Sequence, residues 1–261
     1  MGFLDLIFGP FKSRTVTCDY PPVAAIPDRG RRGTPVIDPG RSTEAAAREP
    51  DCPTGAIAVL GAGDAAKVAL DYGKCVFCGN CIDASGSGPI TAAQSFELAA
   101  RRRSGVVSGD LEASALPEDG EALAEAIARG LKRSLHIRHL DSGSCNGCDW
   151  EITALLNPVY DIQRLGIDFV ASPRHADLLL VTGVMTRNLA EAARLTFEAM
   201  PEPRLVVAVG ACAVGGGVFA RTYAAEGEVG LSLPVDVFIP GCPPRPEAII
   251  HGLLMAMGKL P

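Results

Sequence analysis

Cysteine spacing constrains this chain of 261 residues more than any other feature of its sequence. Eight of the nine cysteines fall into two groups of four. The first cysteine set is Cys52 in DCPTGAI together with Cys75, Cys78 and Cys81 in KCVFCGNC. The second cysteine set is Cys145 and Cys148 in SGSCNGCDWE, Cys212 in GACAVGG and Cys242 in PGCPPRPE. Because four converging thiolates hold a 4Fe–4S cluster, each set predicts one such cluster, and the chain is expected to conduct electrons.

The first cysteine set is spaced like one half of a bacterial two-cluster ferredoxin. Such ferredoxins contain two CxxCxxCxxxCP motifs, and the fourth cysteine of each motif binds the cluster of the other. Here one cluster keeps all four ligands, whereas the ligand positions of the other hold Ser42, Ala45, Arg48 and Ser85. Random loss would scatter substitutions over both clusters. The segment therefore resembles a ferredoxin that keeps one 4Fe–4S centre, with a zinc knuckle or a redox dithiol as the alternatives.

A hairpin is predicted between the two parts of the first set. The short apolar runs IAVL and KVALDY lie on either side of Gly61–Asp64. Residues 61–66 also match GxGxxA, a fingerprint of dinucleotide binding, but no helix of useful length follows before Cys75. A hairpin turn is therefore the favoured interpretation.

The C-terminal half alternates short apolar runs with helical stretches. The runs SLHIRHL, IDFV, DLLLVTG, RLVVAVG and VDVFIPG predict strands, and EITALL, NLAEAARLTFEAM and RPEAIIHGLLMAM predict helices. This alternation is typical of an α/β fold, here a flavodoxin-like parallel sheet with helices on both faces. Ligands bind such sheets beyond the carboxyl ends of the strands. Since the second cysteine set follows three of these strands, we expect its thiolates at one edge of the sheet.

Four motifs carry a resemblance to a known family: SGSCNGCDWE, ADLLLVTG, VGACAVGGGVF and DVFIPGCPPRPEAI. Over residues 134–258 the chain resembles the small subunit of energy-converting, formate-hydrogenlyase-type nickel–iron hydrogenases, which is related to the 20 kDa (B) subunit of respiratory complex I. The resemblance implies that the second cysteine set binds the 4Fe–4S cluster nearest the active site of a large subunit. The N-terminal third is similar to the ferredoxin-like subunit of the same complexes, including its entry at Thr17–Pro21 and Arg32–Pro35. The chain thus resembles a fusion of two subunits.

The chemistry of the large partner is open between two relatives. The complex I subunit has adjacent cysteines at the first ligand position, whereas hydrogenase-type subunits have CxGC, the form found at Cys145–Cys148. The resemblance therefore favours the electron-transfer subunit of a membrane-associated nickel–iron hydrogenase, an oxidoreductase subunit with no catalytic centre of its own. The alternative is a complex-I-like NADH/quinone oxidoreductase subunit whose large partner lacks nickel and serves quinone. A third hypothesis is that the cysteines bind zinc and the chain is a structural bridge.

The net charge and the hydropathy of the chain limit which classes of partner are expected. The net charge is −6 and the sequence pI about 5.3, so nucleic acid is not an expected partner. The N-terminus lacks the basic start and the cleavage site of a secretory signal, and no apolar stretch approaches the length of a membrane span. The resemblance implies a hydrogenase-type large subunit and further iron–sulfur and membrane subunits as partners. We therefore expect a cytoplasmic protein, held at the inner face of the cytoplasmic membrane by those partners.

Four segments are expected along the chain: an N-terminal arm (1–33), a small α+β ferredoxin-like domain with one 4Fe–4S site (34–100), a linker with a helix (101–133), and the hydrogenase-type domain (134–261). Outside the cysteine sets, Glu151 is either a proton-path group near a subunit interface or an acid in the first turn of a helix. Cys18 matches no ligand position and is expected to be a free thiol. The arginines at 101–103 are expected on a solvated face or in a partner contact.

Overall fold

The computed structural model describes residues 16–18, 20, 33–60, 67–109, 134–220 and 222–260. Most of the N-terminal arm, the turn at residues 61–66 and the linker helix predicted before residue 134 lie outside the described residues. Within the described part of the chain, no helix is both long enough and apolar enough to cross a membrane.

In the described residues of the N-terminal half, the strands form two small antiparallel sheets. Its strands are β1 (Thr34–Ile37), β2 (Ile57–Leu60), β3 (Lys67–Asp71), β4 (Ile90–Ala93) and β5 (Val107–Gly109), and its helices are α1 (Ser42–Ala46) and α2 (Asn80–Ser85). Short 3-10 turns cover Pro39–Arg41, Glu49–Asp51 and Arg103–Val106. β1 pairs with β4, and β3 lies between β2 and β5. The antiparallel register of β2 and β3 confirms the predicted hairpin. Because β5 pairs with β3, the chain returns to the N-terminal sheet after residue 100.

A five-stranded parallel sheet forms the C-terminal half. The strands of this half are β6 (Leu135–Asp141), β7 (Ile167–Phe169), β8 (Leu178–Thr182), β9 (Met185–Thr186), β10 (Leu205–Val209), β11 (Ala225–Gly227) and β12 (Val237–Ile239). The helices are α3 (Gly147–Ala154), α4 (Arg187–Glu198), α5 (Ala211–Gly215) and α6 (Pro246–Ala256). The main sheet has the order β12-β10-β8-β6-β7, and β9 pairs with β11 beside it. All five predicted strands are therefore in one sheet.

Both faces of the main sheet are buried, which explains the continuous apolar runs of its strands. In β8, Leu178 and Leu180 belong to the core on one face, and Leu179 and Val181 to the core on the other. All four are fully buried. Residues of α3 and α6 pack on the first face, and residues of α4 and α5 on the second. The predicted parallel sheet with helices on both faces is confirmed.

The two halves meet at the edge of the main sheet. Ala100 forms an antiparallel bridge with Phe238 of the edge strand β12. The N–H of Ala100 donates to the carbonyl of Phe238 at 3.0 Å, and the N–H of Phe238 donates to the carbonyl of Ala100 at 2.8 Å. Val106, a few residues later, is buried in the core of the main sheet. The segment after β4 is therefore part of both halves.

Candidate metal centres

The first cysteine set lies around one small cavity. All four of its cysteines line this cavity, together with apolar residues such as Ile57 and Leu70. Cys75 is buried, and the other three cysteines are half-buried. Cys75 and Cys78 lie in the loop before α2, and Cys81 lies in the first turn of α2. Phe77, within the loop, has a left-handed backbone with φ of 53°. The structure thus brings the four predicted ligands of this set together.

Backbone hydrogen bonds reach the sulfur atoms of the first set. The N–H of Ala56 donates to Cys52 Sγ at 3.2 Å, and the N–H of Phe77 donates to Cys75 Sγ at 3.4 Å. Burial raises the pKa of the Cys75 thiol to about 12. Burial also raises the pKa of Cys52, but hydrogen bonds from Thr54 and nearby amides outweigh it and leave that pKa below its usual value. Such donors stabilise the thiolate, which is the form that binds metal.

Arg48 and Ser85, two of the positions that the ferredoxin comparison expects to be cysteine, lie near each other. Arg48 Nη1 donates to the carbonyl of Ala84 at 3.2 Å, beside Ser85. Ser85 Oγ donates to the carbonyl of Cys81 at 2.6 Å. Ala45 is fully buried in the apolar core that surrounds the first set. An arginine, a serine and a buried alanine thus stand where a two-cluster ferredoxin needs thiolates.

The second cysteine set lies at the carboxyl edge of the main sheet. Cys145 and Cys148 follow β6, Cys212 lies in α5 directly after β10, and Cys242 follows β12. Since parallel strands end at the same edge, three separate segments deliver the four thiols to one place. Asn146, between the first two cysteines, has φ of 67° and ends the loop at the start of α3.

Gly210 leaves room for the sulfur atoms of the second set. A Cβ at this residue would lie 2.5 Å from Cys148 Sγ, and its φ of 91° is a backbone conformation that L side chains rarely adopt. Burial raises the pKa of the Cys148 thiol, and the other three thiols of the set raise it further. Burial likewise raises the pKa of Cys212 to about 11, with Cys242 and Cys145 adding to the effect. The four side chains are therefore close enough to influence one another.

The donor chemistry of both sets fits an iron–sulfur cluster. Each set offers four thiols, and a coordinating metal removes the proton from a thiol that binds it. The first set has a cavity and amide donors at its sulfurs, and the second has a glycine where a side chain would fill the site. Among the described residues, no three or more His, Cys, Asp or Glu side chains are placed to hold a single metal ion.

Asp149 supports the second set and was missed by sequence reasoning. Its carboxylate accepts hydrogen bonds from Thr182 Oγ1 at 2.8 Å and from Ser144 Oγ, and it lies 3.0 Å from His139 Nε2. These contacts tie the start of α3 to the ends of β6 and β8. The helix was predicted from Glu151 but begins at Gly147, so Asp149 is the acid in its first turn. The sequence does contain a signal for this role, because an acidic residue directly after the CxGC motif is favourable at a helix N-terminus.

The rim of the second set is open. Cys145 and Cys242 are exposed, and Trp150 is 73% exposed. A cavity of about 370 Å³ begins beside Cys242 and reaches the loop of the first set, because Phe77 and Glu151 also line it. Glu151 thus faces this cavity from the second turn of α3.

Two other expectations concern residues outside the sets. Cys18 is half-buried, and its N–H donates to the carbonyl of Val159 at 2.7 Å, so it lies with neither set. The expectation that the arginines at 101–103 occupy a solvated face is wrong for two of them. Arg101 donates to the carbonyl of Met255, and Arg103 forms two hydrogen bonds with Asp71.

Comparison with known proteins identifies the family. The family model described as NADH ubiquinone oxidoreductase, 20 kDa subunit, matches residues 145–256. A probable membrane-bound hydrogenase subunit, mbhJ, of Pyrococcus furiosus is 50% identical over 134 residues, which cover 51% of this chain and 80% of the relative. The chain belongs to this 20 kDa subunit family. The resemblance of the C-terminal half to hydrogenase small subunits and the complex I 20 kDa subunit is therefore confirmed.

Further relatives of this 20 kDa subunit family member are subunits of related assemblies. Formate hydrogenlyase subunit 7 of Escherichia coli is 42% identical over 139 residues, which cover 53% of this chain and 54% of the relative. The chain thus spans about half the length of that relative. A chain from the structure of a membrane-bound sulfane sulfur reductase, an archaeal respiratory membrane complex, aligns with a TM-score of 0.45 and 36% identity, covering 51% of this chain and 73% of that one.

Proposed function

We propose that this chain is the electron-transfer small subunit of a membrane-associated nickel–iron hydrogenase complex and that it holds two 4Fe–4S clusters. The observation that carries the proposal is the second cysteine set, gathered at the carboxyl edge of the sheet in its CxGC form. Members of the 20 kDa subunit family bind a 4Fe–4S cluster. Relatives of this chain include subunits named for a membrane-bound hydrogenase and for formate hydrogenlyase.

The chain's own residues bind and shield the two centres. Each bound cluster supplies a site that takes up and gives up one electron. The first set, Cys52, Cys75, Cys78 and Cys81, is held in an apolar surrounding that limits contact with water. The amides of Ala56 and Phe77 donate to its sulfurs, which stabilises negative charge there and so tunes the reduction potential. At the second set, Gly210 leaves room for the sulfurs, and the Asp149 contacts hold the start of α3 against β6 and β8.

The second set is the one proposed to face the catalytic partner. Two of its cysteines and the neighbouring Trp150 are exposed in this chain, whereas the first set is buried or half-buried. Aromatic side chains are enriched at protein interfaces, and an exposed tryptophan beside a redox site suits a surface that a large subunit covers. Electrons would then pass from the first set through the second set to the large subunit, or in the reverse direction.

The domain arrangement proposed with this function has four segments. An arm (1–33) precedes a single-cluster ferredoxin-like domain (34–100), a linker with a helix (101–133) and the 20 kDa subunit domain (134–261). The hairpin of β2 and β3 between Cys52 and Cys75 supports the ferredoxin-like part. The proposed partners are a hydrogenase-type large subunit and further iron–sulfur and membrane subunits, with the assembly at the inner face of the cytoplasmic membrane.

A complex-I-like oxidoreductase subunit is the second candidate function. The family description itself names the 20 kDa subunit of NADH ubiquinone oxidoreductase, which supports this alternative. The CxGC spacing of Cys145 and Cys148 favours the hydrogenase, because complex I subunits carry adjacent cysteines there. The two candidates share the electron-transfer role and differ in the metal of the large partner.

Metal analysis tests first the electron-transfer role of the chain and then the identity of its large partner. The purified chain is expected to contain about eight iron atoms and as many sulfide ions, four for each cluster. Zinc in place of iron would reject the electron-transfer role. Nickel analysis of the complex purified through this chain then decides between the candidates. Nickel in the large partner supports the hydrogenase, and an iron-loaded complex without nickel supports the complex-I-like alternative.

A further inference from the structure

Two glycines bring the loops of the two cysteine sets into direct backbone contact. Gly73 lies two residues before Cys75, and Gly215 lies three residues after Cys212. A Cβ at Gly215 would lie 2.5 Å from the carbonyl oxygen of Gly73 and 2.8 Å from its carbonyl carbon. A Cβ at Gly73 would lie 2.7 Å from Val214 Cγ1. A Cβ at Gly215 would therefore meet backbone atoms, whereas a Cβ at Gly73 would meet side-chain atoms of its neighbours.

The backbone of Gly215 does not itself require glycine. Gly215 ends helix α5, and its φ is not among the left-handed values found at other glycines of the chain. Alanine is the better helix former at such a position. The close approach of Gly73 is therefore the feature that excludes a side chain from Gly215.

A half-buried ion pair holds the same contact from the side. Arg103 Nη1 and Nη2 donate to the two carboxylate oxygens of Asp71 at 2.8 and 2.7 Å. Asp71 Oδ1 also accepts the N–H of Gly73 at 2.9 Å. Arg103 Nε lies 3.6 Å from Glu228 Oε2, in the C-terminal half. The arginine thus links the loop before the first set to the domain that carries the second.

We infer that the Gly73–Gly215 contact, clamped by Asp71 and Arg103, fixes the separation between the two cysteine sets. This inference rests on the proposed function, because the separation matters only where both sets carry redox centres. Gly215 and Arg103 are positioning residues, because they act by holding two segments of the chain at one distance and not by binding a cluster. A chain with a looser contact would keep both sets but hold them farther apart.

The magnetic interaction between the two reduced clusters tests this inference on the full chain. Each reduced 4Fe–4S cluster is paramagnetic, so two that lie close together broaden or split each other's EPR signals. Gly215→Ala forces its new Cβ against a backbone carbonyl and should weaken this interaction while the iron content stays at about eight. Gly230→Ala is the matched control, because nothing lies within 4 Å of its Cβ position and its φ is not left-handed. The control should give the wild-type spectrum.

Two further variants keep the outcome decisive. Cys52→Ser removes the first cluster and supplies the spectrum of the second cluster alone. If Gly215→Ala fails to load iron, Gly73→Ala replaces it, since a Cβ there meets side-chain atoms of Val214 and Arg103 that can move. A spectrum of the Gly215 variant identical to wild type, with iron intact, rejects the positioning role and leaves the proposed function standing. Wild-type protein without iron rejects the proposed function first.

Discussion

The ion pair between Asp71 and Arg103 is expected to contribute measurably to stability. Their side chains are 16% and 20% exposed, and two charge-assisted hydrogen bonds join them. Removing one partner of a buried pair costs about 3–5 kcal/mol, and the remaining exposure places this pair near the lower end of that range. Burial lowers the pKa of the Arg103 guanidinium, but the Asp71 carboxylate raises it more, so the pKa lies above its usual value. We therefore expect each of Asp71→Ala and Arg103→Met to lower the free energy of unfolding by about 3 kcal/mol.

The two single changes should not be equally costly. Asp71→Ala leaves Arg103 with Glu228 as its remaining carboxylate, 3.6 Å from Nε, and also removes the acceptor of the Gly73 N–H. Arg103→Met leaves Asp71 with that N–H and with Lys74, whose Nζ is 3.9 Å away. Asp71→Ala is therefore the more destabilising change, and the double variant should cost about 2 kcal/mol less than the sum of the two.

Urea unfolding of the iron-loaded chain, followed by far-ultraviolet circular dichroism, measures this double-mutant cycle. Arg41→Met is the matched control, because Arg41 forms a similar pair with Glu44 but both side chains are exposed. Exposed pairs contribute little, so the control should unfold at the wild-type urea concentration. A double variant whose cost equals the sum of the single costs would refute the argument, since it would show that the two side chains stabilise the fold independently.

Three further outcomes are expected. Cys52→Ser should halve the iron content from about eight to about four atoms, whereas Cys18→Ser should leave it unchanged; a full complement in the Cys52 variant would exclude that residue as a ligand. Gly210→Ala should lose the cluster of the second set and about half of the iron, with Gly230→Ala as its control, and iron analysis with EPR distinguishes them. Burial raises the pKa of Asp236 to about 6, above about 3.9 in the unfolded chain, so the folded state binds more protons between these values and stability falls as pH rises through them. Between about pH 5 and pH 7, the wild-type chain should lose about 1 kcal/mol more of its free energy of unfolding than Asp236→Asn, as measured by urea unfolding. An Asp236→Asn variant with the wild-type pH profile would contradict this assignment.

The sequence predicted the structure correctly wherever the pattern lay within a short stretch of residues. The runs DLLLVTG and RLVVAVG became β8 and β10, because a strand buried on both faces must be apolar at every position. The carboxyl-edge position of the second set followed from the parallel sheet. The hairpin between Cys52 and Cys75 followed from two short apolar runs around a glycine-rich turn.

The features that the sequence did not reveal depend on contacts between distant residues. Arg103 pairs with Asp71, 32 positions earlier, and nothing in a run of three arginines shows which of them forms this pair. β5 is a three-residue strand whose sequence, VSG, has no alternation to detect. The left-handed backbone of Phe77 is unusual for an aromatic residue and is imposed by the loop of the first set. Asp149 was overlooked because α3 begins inside the CxGC motif.

The bridge between Ala100 and Phe238 determines how a truncated form of this chain would behave. An unpaired edge strand is a template for association with other molecules, and natural proteins cover or blunt such edges. Here the covering residue comes from the N-terminal half, so a fragment starting at residue 134 would expose the outer side of β12 at Phe238. Such a fragment is expected to self-associate in size-exclusion chromatography. The segment from Ala100 to Val106, which covers β12 and contributes Val106 to the core of the main sheet, should therefore be kept with the C-terminal half.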